Sequence, residues 1–310
     1  MLALGIDLGG TKIAAALLDG DGRAVWEHRR PTPQGDYAGT LAAIDAVVGS
    51  ARAAAGGRDL SIGIGTPGTT AAGGLMKNCN STCLNGQPLQ RDLQALLGQG
   101  VTLANDANCL ALSEATDGAG AGAGVVFAAI LGSGAGAGIA VDGRVLGGPN
   151  GLAGEWGHNP LPWGSAAEDP PWSCYCGRRG CVELYVSGSG LERDHHHATG
   201  QRLDGPAIAA GAAAGDDACR ATLRRHAQRL ARALAGVINL LDPDVIVLGG
   251  GLSSMAHLYD EVPRLWGQWV FAAGAPGPVH TRLVPNVHGD ASGVRGAAWI
   301  GRGRGQVFTL

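Results

Sequence analysis

LALGIDLGGTKIAAALLDGDG, residues 2–22, reads as a buried strand, a Gly-Gly turn, a second strand and an Asp-Gly turn. Gly9 and Gly10 permit backbone angles that other residues resist, which suits a tight return between strands. AVWEHRRPTP, residues 24–33, continues the meander as a third strand. The same layout returns at residue 131. LGGTKIAAALLDG (Leu8–Gly20) and LGSGAGAGIAVDG (Leu131–Gly143) are equal in length, begin Leu-Gly and end Asp-Gly. Two copies of a strand–glycine turn–strand unit imply two related lobes, each offering a glycine hairpin to a shared cleft. The boundary between them is expected in DGAGAGAG, residues 117–124.

The stretches between and after the copies complete an α/β pattern. Residues 39–55 read as an Ala-rich helix, SIGIGTPG (61–68) as a buried strand ending in a Pro-Gly loop, and VTLANDAN (101–108) as another strand. NCLALSEATDGA (108–119) follows as a helix. A long helix over 216–240 carries Leu223, Ala227, Leu230, Leu234, Val237 and Leu241 at helical spacing. In DPDVIVLGGG (242–251), Asp-Pro stops that helix, VIVL is a buried strand and three glycines open a loop; SGVRGAAWIG (292–301) is a last helix.

Composition bounds the function. A chain of 310 residues, 45% hydrophobic and 16% charged, can bury a substantial core. A net charge of -3 without a basic stripe argues against nucleic acid as a partner. The 54 glycines read as concentrated in short loops between apolar runs. Neither a secretory signal nor an apolar run of spanning length stands out, so a cytoplasmic protein without a membrane partner is expected. Seven cysteines, an odd number, speak against a disulfide framework. His195, His196 and His197 read as a solvated helix or loop.

Three glycine loops follow buried strands: DLGGTK (7–12), LGSGAG (131–136) and LGGG (248–251). Backbone amides in such turns can converge on an anion, although none of the three is a P-loop or a dinucleotide fingerprint. Among 23 lysines and arginines, Lys12 and Lys77 alone are lysine, and Lys12 lies in the first glycine loop, where a compact ammonium could approach a phosphate. Asp7 could position a metal ion or its water. Asp106 could accept a proton from a hydroxyl attacking phosphorus, and could equally cap the following helix.

Three cysteines fall within CYCGRRGC, residues 174–181. His158 with Cys174, Cys176 and Cys181 matches a closed tetrahedral site for structural zinc, with buried free thiols the alternative. Glu155, His158 and Glu183 then stand beside the metal, a set suited to the hydroxyls of a sugar. His158 could hold zinc through one nitrogen and donate to the sugar through the other.

The set DLGGTK, LANDAN, LGSGAGAG, GEWGH, CYCGRRGCVE and DVIVLGGG, in this order, resembles the ROK family of bacterial sugar kinases and related repressors. NSTCLNGQPL, GEWGHNPLPW and HGDASGVRGAAW look most like its fructokinase or manno(fructo)kinase branch. The resemblance implies a two-lobed, actin-like (ribonuclease H-like) ATPase fold with an interlobe cleft and a structural zinc site. A small lobe would cover 1–118, completed by a helix at about 291–305, and a large lobe 119–290. It implies ATP and Mg2+ as cofactors besides zinc, a hexose substrate, and often a homodimer. Asp106 would be the catalytic base, with Gly68, Asn80, Asn105, Asp106, Glu155, His158 and Glu183 on the sugar. Asp7, Gly9, Gly10, Thr11, Lys12, Gly132, Ser133 and Gly134 would serve the phosphates, and Gly249 and Gly250 would border the adenosine. Fructose is the expected acceptor, with mannose, glucose or an N-acetylhexosamine as alternatives. Cys83 stands where the family commonly has an aromatic residue, at the edge of the sugar pocket. The family's repressors carry a helix-turn-helix domain ahead of DLGGTK; with that loop starting at residue 7, a kinase is expected rather than a repressor or a non-catalytic sugar-binding module.

Overall fold

The computed structural model describes residues 1–71, 73–165, 168, 171–272 and 277–303. The chain forms two units, one of residues 1–122, 138–153 and 287–310, the other of 123–137 and 154–286. Residues 304 and 305, at the end of the expected last helix, lie outside the described set.

The elements, in order, are β1 (Leu2–Leu8), β2 (Lys12–Leu18), β3 (Ala24–Pro31), α1 (Tyr37–Ala55), β4 (Leu60–Thr66), β5 (Thr69–Thr70), β6 (Met76–Lys77), α2 (Leu89–Leu97), β7 (Thr102–Asn105) and α3 (Asp106–Asp117). Then come β8 (Val125–Leu131), β9 (Ala135–Val141), β10 (Arg144–Val145), α4 (Glu183–Val186), α5 (Gly188–Thr199), α6 (Gly205–Ala213) and α7 (Asp217–Leu241). The chain ends with β11 (Val245–Gly249), α8 (His257–Trp266), β12 (Arg282–Pro285) and α9 (Ser292–Gly301). No described helix is long and apolar enough to cross a membrane.

The repeat in the sequence becomes a repeat of topology. One five-stranded sheet runs β3-β2-β1-β4-β7 and the other β10-β9-β8-β11-β12. Each opens with antiparallel pairing and continues with parallel strands, β1 on β4 on β7 and β8 on β11 on β12. Helix starts follow side-chain caps: Asp36 accepts from Gly39 N, Asp204 from Ala207 N and Asp216 from Cys219 N. Helix α7 stops where Asp242 turns into the left-handed region at φ 46°.

Alternation along the strands decides what each face of the first sheet carries. Leu2, Leu4, Ile6, Leu17, Ile62 and Ile64 point one way and join the apolar sides of α1 and α2. Ala3, Ala14 and Ala16 point the other way and meet α3 and α9. On that thin face a Cβ on Gly5 would stand 1.9 Å from Val294 O, and one on Gly63 1.9 Å from Ala297 O. Helix α9 rests directly on the sheet backbone. On α9 itself, a Cβ on Gly296 would stand 1.8 Å from Cys109 O of α3. These glycines sit inside strands and a helix, so glycine here also serves close packing, besides the short loops where the sequence places its concentration. Side chains then fix the helix: buried Glu114 accepts from Ser292 Oγ (2.9 Å) and Ala119 N (2.9 Å), and Asp117 pairs with Arg295 and with His288 (3.1 Å).

The histidine triplet also departs from expectation. His195 is fully buried, with Nδ1 3.0 Å from Thr222 Oγ1, while His196 and His197 are exposed on α5. Its two neighbours follow helical geometry to the outer face, so one histidine of three faces the core.

Gly63→Ala should destabilise the protein by about 3 kcal/mol or more, because the obstruction is backbone and has no rotamer to yield. Gly49→Ala, on the exposed side of α1 with nothing within 4 Å, should instead stabilise by about 0.5–1 kcal/mol. Denaturant unfolding of both variants checks the contrast, and equal effects would remove the close approach as the cause.

Candidate active site

In the first unit the loop between β1 and β2 closes with Gly9 N donating to Lys12 O at 3.0 Å, and Thr32 Oγ1 donates to Gly9 O at 2.7 Å. Gly10, Thr11 and Lys12 are exposed. Lys12 Nζ lies 3.8 Å from Asp290 Oδ2, and with both side chains largely solvated this pair is weak and leaves the ammonium available. Asp7 ends the thin face of β1, against the first turn of α9 at Gly293. Burial, followed by the neighbouring charge of Asp106, pushes its carboxyl up to about 6, with Lys12 opposing and Asp290 adding. A half-buried carboxylate short of positive charge, beside a second carboxylate and an open amide turn, suits a metal-bound polyphosphate.

Asp106 is the first residue of α3 and is exposed. The helix cap is its neighbour: Asn105 Oδ1 accepts from Ala107 N at 2.9 Å, and Asn105 Nδ2 donates to Gly68 O at 3.3 Å. One Asp106 oxygen also accepts from Ala107 N, at 2.7 Å. Gly68 has φ +82°, and a Cβ there would stand 2.4 Å from Lys77 O, so its loop can lie on β6 only as glycine. Asn80 is exposed and lines a recess of about 310 Å³ together with Gly10, Thr11 and Cys83. A separate cavity of about 470 Å³ is lined by Thr69, Thr70, Lys77, Asn105, Asn108 and Asn150. Lys77 Nζ donates to Asn150 O at 2.9 Å on its wall, and the buried Asn108 Oδ1 has no hydrogen-bond partner among the described residues. Asn108 and this role for Lys77 went unread in the sequence, although Asn108 is the last residue of the LANDAN motif that contains Asp106.

In the second unit the loop Gly132–Gly134 closes on itself, Gly132 N donating to Gly134 O at 3.0 Å, and Gly188 N donates to Gly132 O at 2.7 Å. Glu183 Oε2 accepts from Ala135 N at 3.0 Å, so the expected sugar carboxylate also braces the glycine loop. A cavity of about 990 Å³ opens beside this loop, lined by Gly132, Ser133, Gly188, Gly251, Arg220, Arg224 and His257 among others, with Leu223 and Leu252 as apolar wall. Gly249 is the buried end of β11, and a Cβ on Gly250 would stand 2.7 Å from the Leu131 carbonyl. These two glycines let the loops pack, and the cavity wall begins at Gly251. Arginines of α7 and the α5 start were not foreseen, because a helix face carries no cue to the strand ends it will meet.

His158, Cys174, Cys176 and Cys181 converge, their ligand atoms all within 4.8 Å of one another. His158 Nδ1 is 3.7 Å from Cys174 Sγ, and Cys176 Sγ is 3.6 Å from Cys181 Sγ. Zinc–sulfur bonds of about 2.3 Å in a tetrahedron place sulfurs about 3.8 Å apart, so the donor set fits such an ion with no open position. A tight hairpin supplies the thiols: Cys174 N donates to Arg178 O at 2.8 Å, and Gly177 turns at φ +86°. Trp156 anchors the His158 turn by packing edge-on to Phe127 of β8, at 5.7 Å between rings. Glu168, within the segment joining His158 to the thiols, is buried against α7. Burial would raise its carboxyl, yet Arg232, Ser165 and Arg229 hold it down at about 2. Arg229 also pairs with Asp194 of α5 at 2.6 Å, extending this buried network. Glu155 is exposed beside this turn, while His158 turns Nε2 to the hydroxyl of Tyr175 at 3.0 Å.

A family model described as "ROK family" matches residues 3–304. The N-acetyl-D-glucosamine kinase of Yersinia enterocolitica is 38% identical over 302 residues, covering 96% of this chain and 98% of that one. The N-acetyl-D-glucosamine kinase of Pectobacterium atrosepticum is also 38% identical, with 96% and 97% covered. Among solved structures, the ROK hexokinase of Thermus thermophilus superposes with a TM-score of 0.83 at 32% identity, covering 96% of this chain and 97% of the other. The ROK family glucokinase of Streptomyces griseus, solved with glucose and AMPPNP, gives 0.78 at 29%, covering 98% and 100%.

Asp7 has a folded value near 6 against an ordinary 3.8, so stability falls as pH rises between these values and is level above them. Asp7→Asn should therefore stabilise by up to about 3 kcal/mol at pH 7 and by much less at pH 4. Melting curves at both pH values check this, and a pH-independent gain would exclude the carboxylate's titration as the source. Cys176→Ser should lower the bound metal, measured by elemental analysis, together with the melting temperature; unchanged metal content would break the ligand set.

Proposed function

The chain belongs to the ROK family, and we propose that it is an ATP-dependent hexose kinase whose preferred acceptor is N-acetyl-D-glucosamine. One observation carries the choice of sugar: the likeness to the Yersinia and Pectobacterium N-acetyl-D-glucosamine kinases extends over 302 residues. Fructose, expected from the sequence motifs, has no counterpart among these relatives and becomes a competing acceptor in the test, with glucose and mannose.

In this reading the carboxylate of Asp106 takes the proton of the sugar 6-hydroxyl as its oxygen attacks the γ-phosphorus, and ADP leaves. Exposure of Asp106 at the start of α3, with Asn105 taking the cap, supports that role. Sugar hydroxyls are assigned to Gly68, Asn80, Asn105, Glu155, His158 and Glu183. The phosphates are assigned to Gly9, Gly10, Thr11 and Lys12 and to Gly132, Ser133 and Gly134. The 990 Å³ cavity, of a size and mixed character suited to a nucleoside, takes the adenosine. Mg2+, held near Asp7, would neutralise phosphate charge. Zinc on His158, Cys174, Cys176 and Cys181 is structural, since a closed Cys3His set leaves no position for a reacting water.

ADP release with MgATP across N-acetyl-D-glucosamine, glucose, mannose and fructose tests the reading. The highest kcat/KM should belong to N-acetyl-D-glucosamine, and Asp106→Asn should lose about 10² or more in kcat while still binding sugar. Turnover led by another hexose would keep the kinase and change the substrate. Silence across the panel from folded protein would leave a sugar-binding module without catalysis.

A further inference from the structure

We propose that Tyr175 is a sugar-site residue: its hydroxyl occupies the Nε2–H of His158 in the sugar-free protein, and a sugar hydroxyl displaces it on binding. The inference rests on the hexose-kinase reading and adds to it a residue that sets acceptor affinity.

His158 turns its two nitrogens in different directions. Nδ1 faces the thiols, 3.7 Å from Cys174 Sγ, and a nitrogen that ligates a metal carries no proton. With zinc on Nδ1, as proposed above, the ring proton would reside on Nε2, where Tyr175 Oη, 3.0 Å away, would accept it. The two rings meet edge to face, at 5.2 Å and 86°. A single N–H makes one strong hydrogen bond. A sugar hydroxyl that uses His158 must replace Tyr175 there.

The exchange needs little motion. Tyr175 is 83% exposed, so its side chain can rotate away without opening a core. Its backbone stays fixed because Cys174 and Cys176 flank it and both contribute to the thiol cluster. The hydroxyl thus holds, on Nε2, the place that a sugar hydroxyl would take.

Calorimetric titration with N-acetyl-D-glucosamine, without nucleotide, compares the intact protein with Tyr175→Phe. The phenyl ring keeps the edge-to-face packing and removes the competing oxygen. Sugar should bind about two- to tenfold tighter, the scale of one net hydrogen bond. KM should fall in step, with kcat within about twofold and metal content unchanged. Unaltered or weaker binding by the variant would overturn the displacement while leaving the kinase reading intact. Loss of metal from the variant would also overturn it, making Tyr175 part of the metal loop's framework. Failure of both proteins to bind any hexose in the panel would bring down the displacement together with the functional reading.

Discussion

Helix α9 touches the first sheet backbone to backbone, and the acidic half of the candidate site follows from that contact. Val294 O and Ala297 O occupy the space that side chains of Gly5 and Gly63 would fill. The approach is possible because β1, β2 and β4 alternate large residues toward α1 and α2 with alanine and glycine toward α9. Asp7 lies two residues beyond Gly5, on the same thin face, so it is brought against α9 at Gly293. A carboxylate so placed loses water without gaining a full counter-charge, which is why its proton is held unusually tightly. Tight packing and a strained ionisation thus have one structural origin, and functional sites commonly store such tension.

The second unit solves a different problem, how to hold in place the segment that joins His158 to the thiols. Three devices act in series. Trp156 packs on Phe127, the thiols and His158 converge, and Glu168 with Arg229, Arg232 and Asp194 ties the intervening segment to α7. A buried ionic network is costly to assemble and costlier to break, so its contribution is geometric definition more than net stability. Glu183, beginning α4 just after the last thiol, carries that definition to the glycine loop through Ala135 N.

Much of this was legible because it rests on local chemistry. The repeat at Leu8–Gly20 and Leu131–Gly143 announced two sheets of like order, and the Cys-x-Cys-x4-Cys spacing with His158 announced the cluster. What stayed hidden depends on contacts distant in sequence. Gly63 looks like any glycine until α9, more than two hundred residues on, lies across it. His195 looks solvated beside His196 and His197 because a run of three polar residues hides which one a helix turns inward. The cap at α3 was misplaced by one position, since Asn and Asp are near-equal as caps and adjacent in the chain.

Acceptor choice is of this second kind. Proteins described as a hexokinase and a glucokinase share the backbone of this chain at TM-scores of 0.83 and 0.78, while N-acetyl-D-glucosamine kinases share more of its sequence. One fold therefore carries several sugars, and the backbone does not select among them. Selection must come from polar side chains that are left unpaired when the wrong sugar enters. An acetamido group separates its donor N–H from its acceptor carbonyl by a full bond and adds a methyl group, whereas a hydroxyl holds donor and acceptor on one atom. A pocket that reads the difference needs space together with a spare donor and a spare acceptor. The sequence lists the residue types able to supply these, and only their placement around a cavity decides which sugar leaves none of them unpaired.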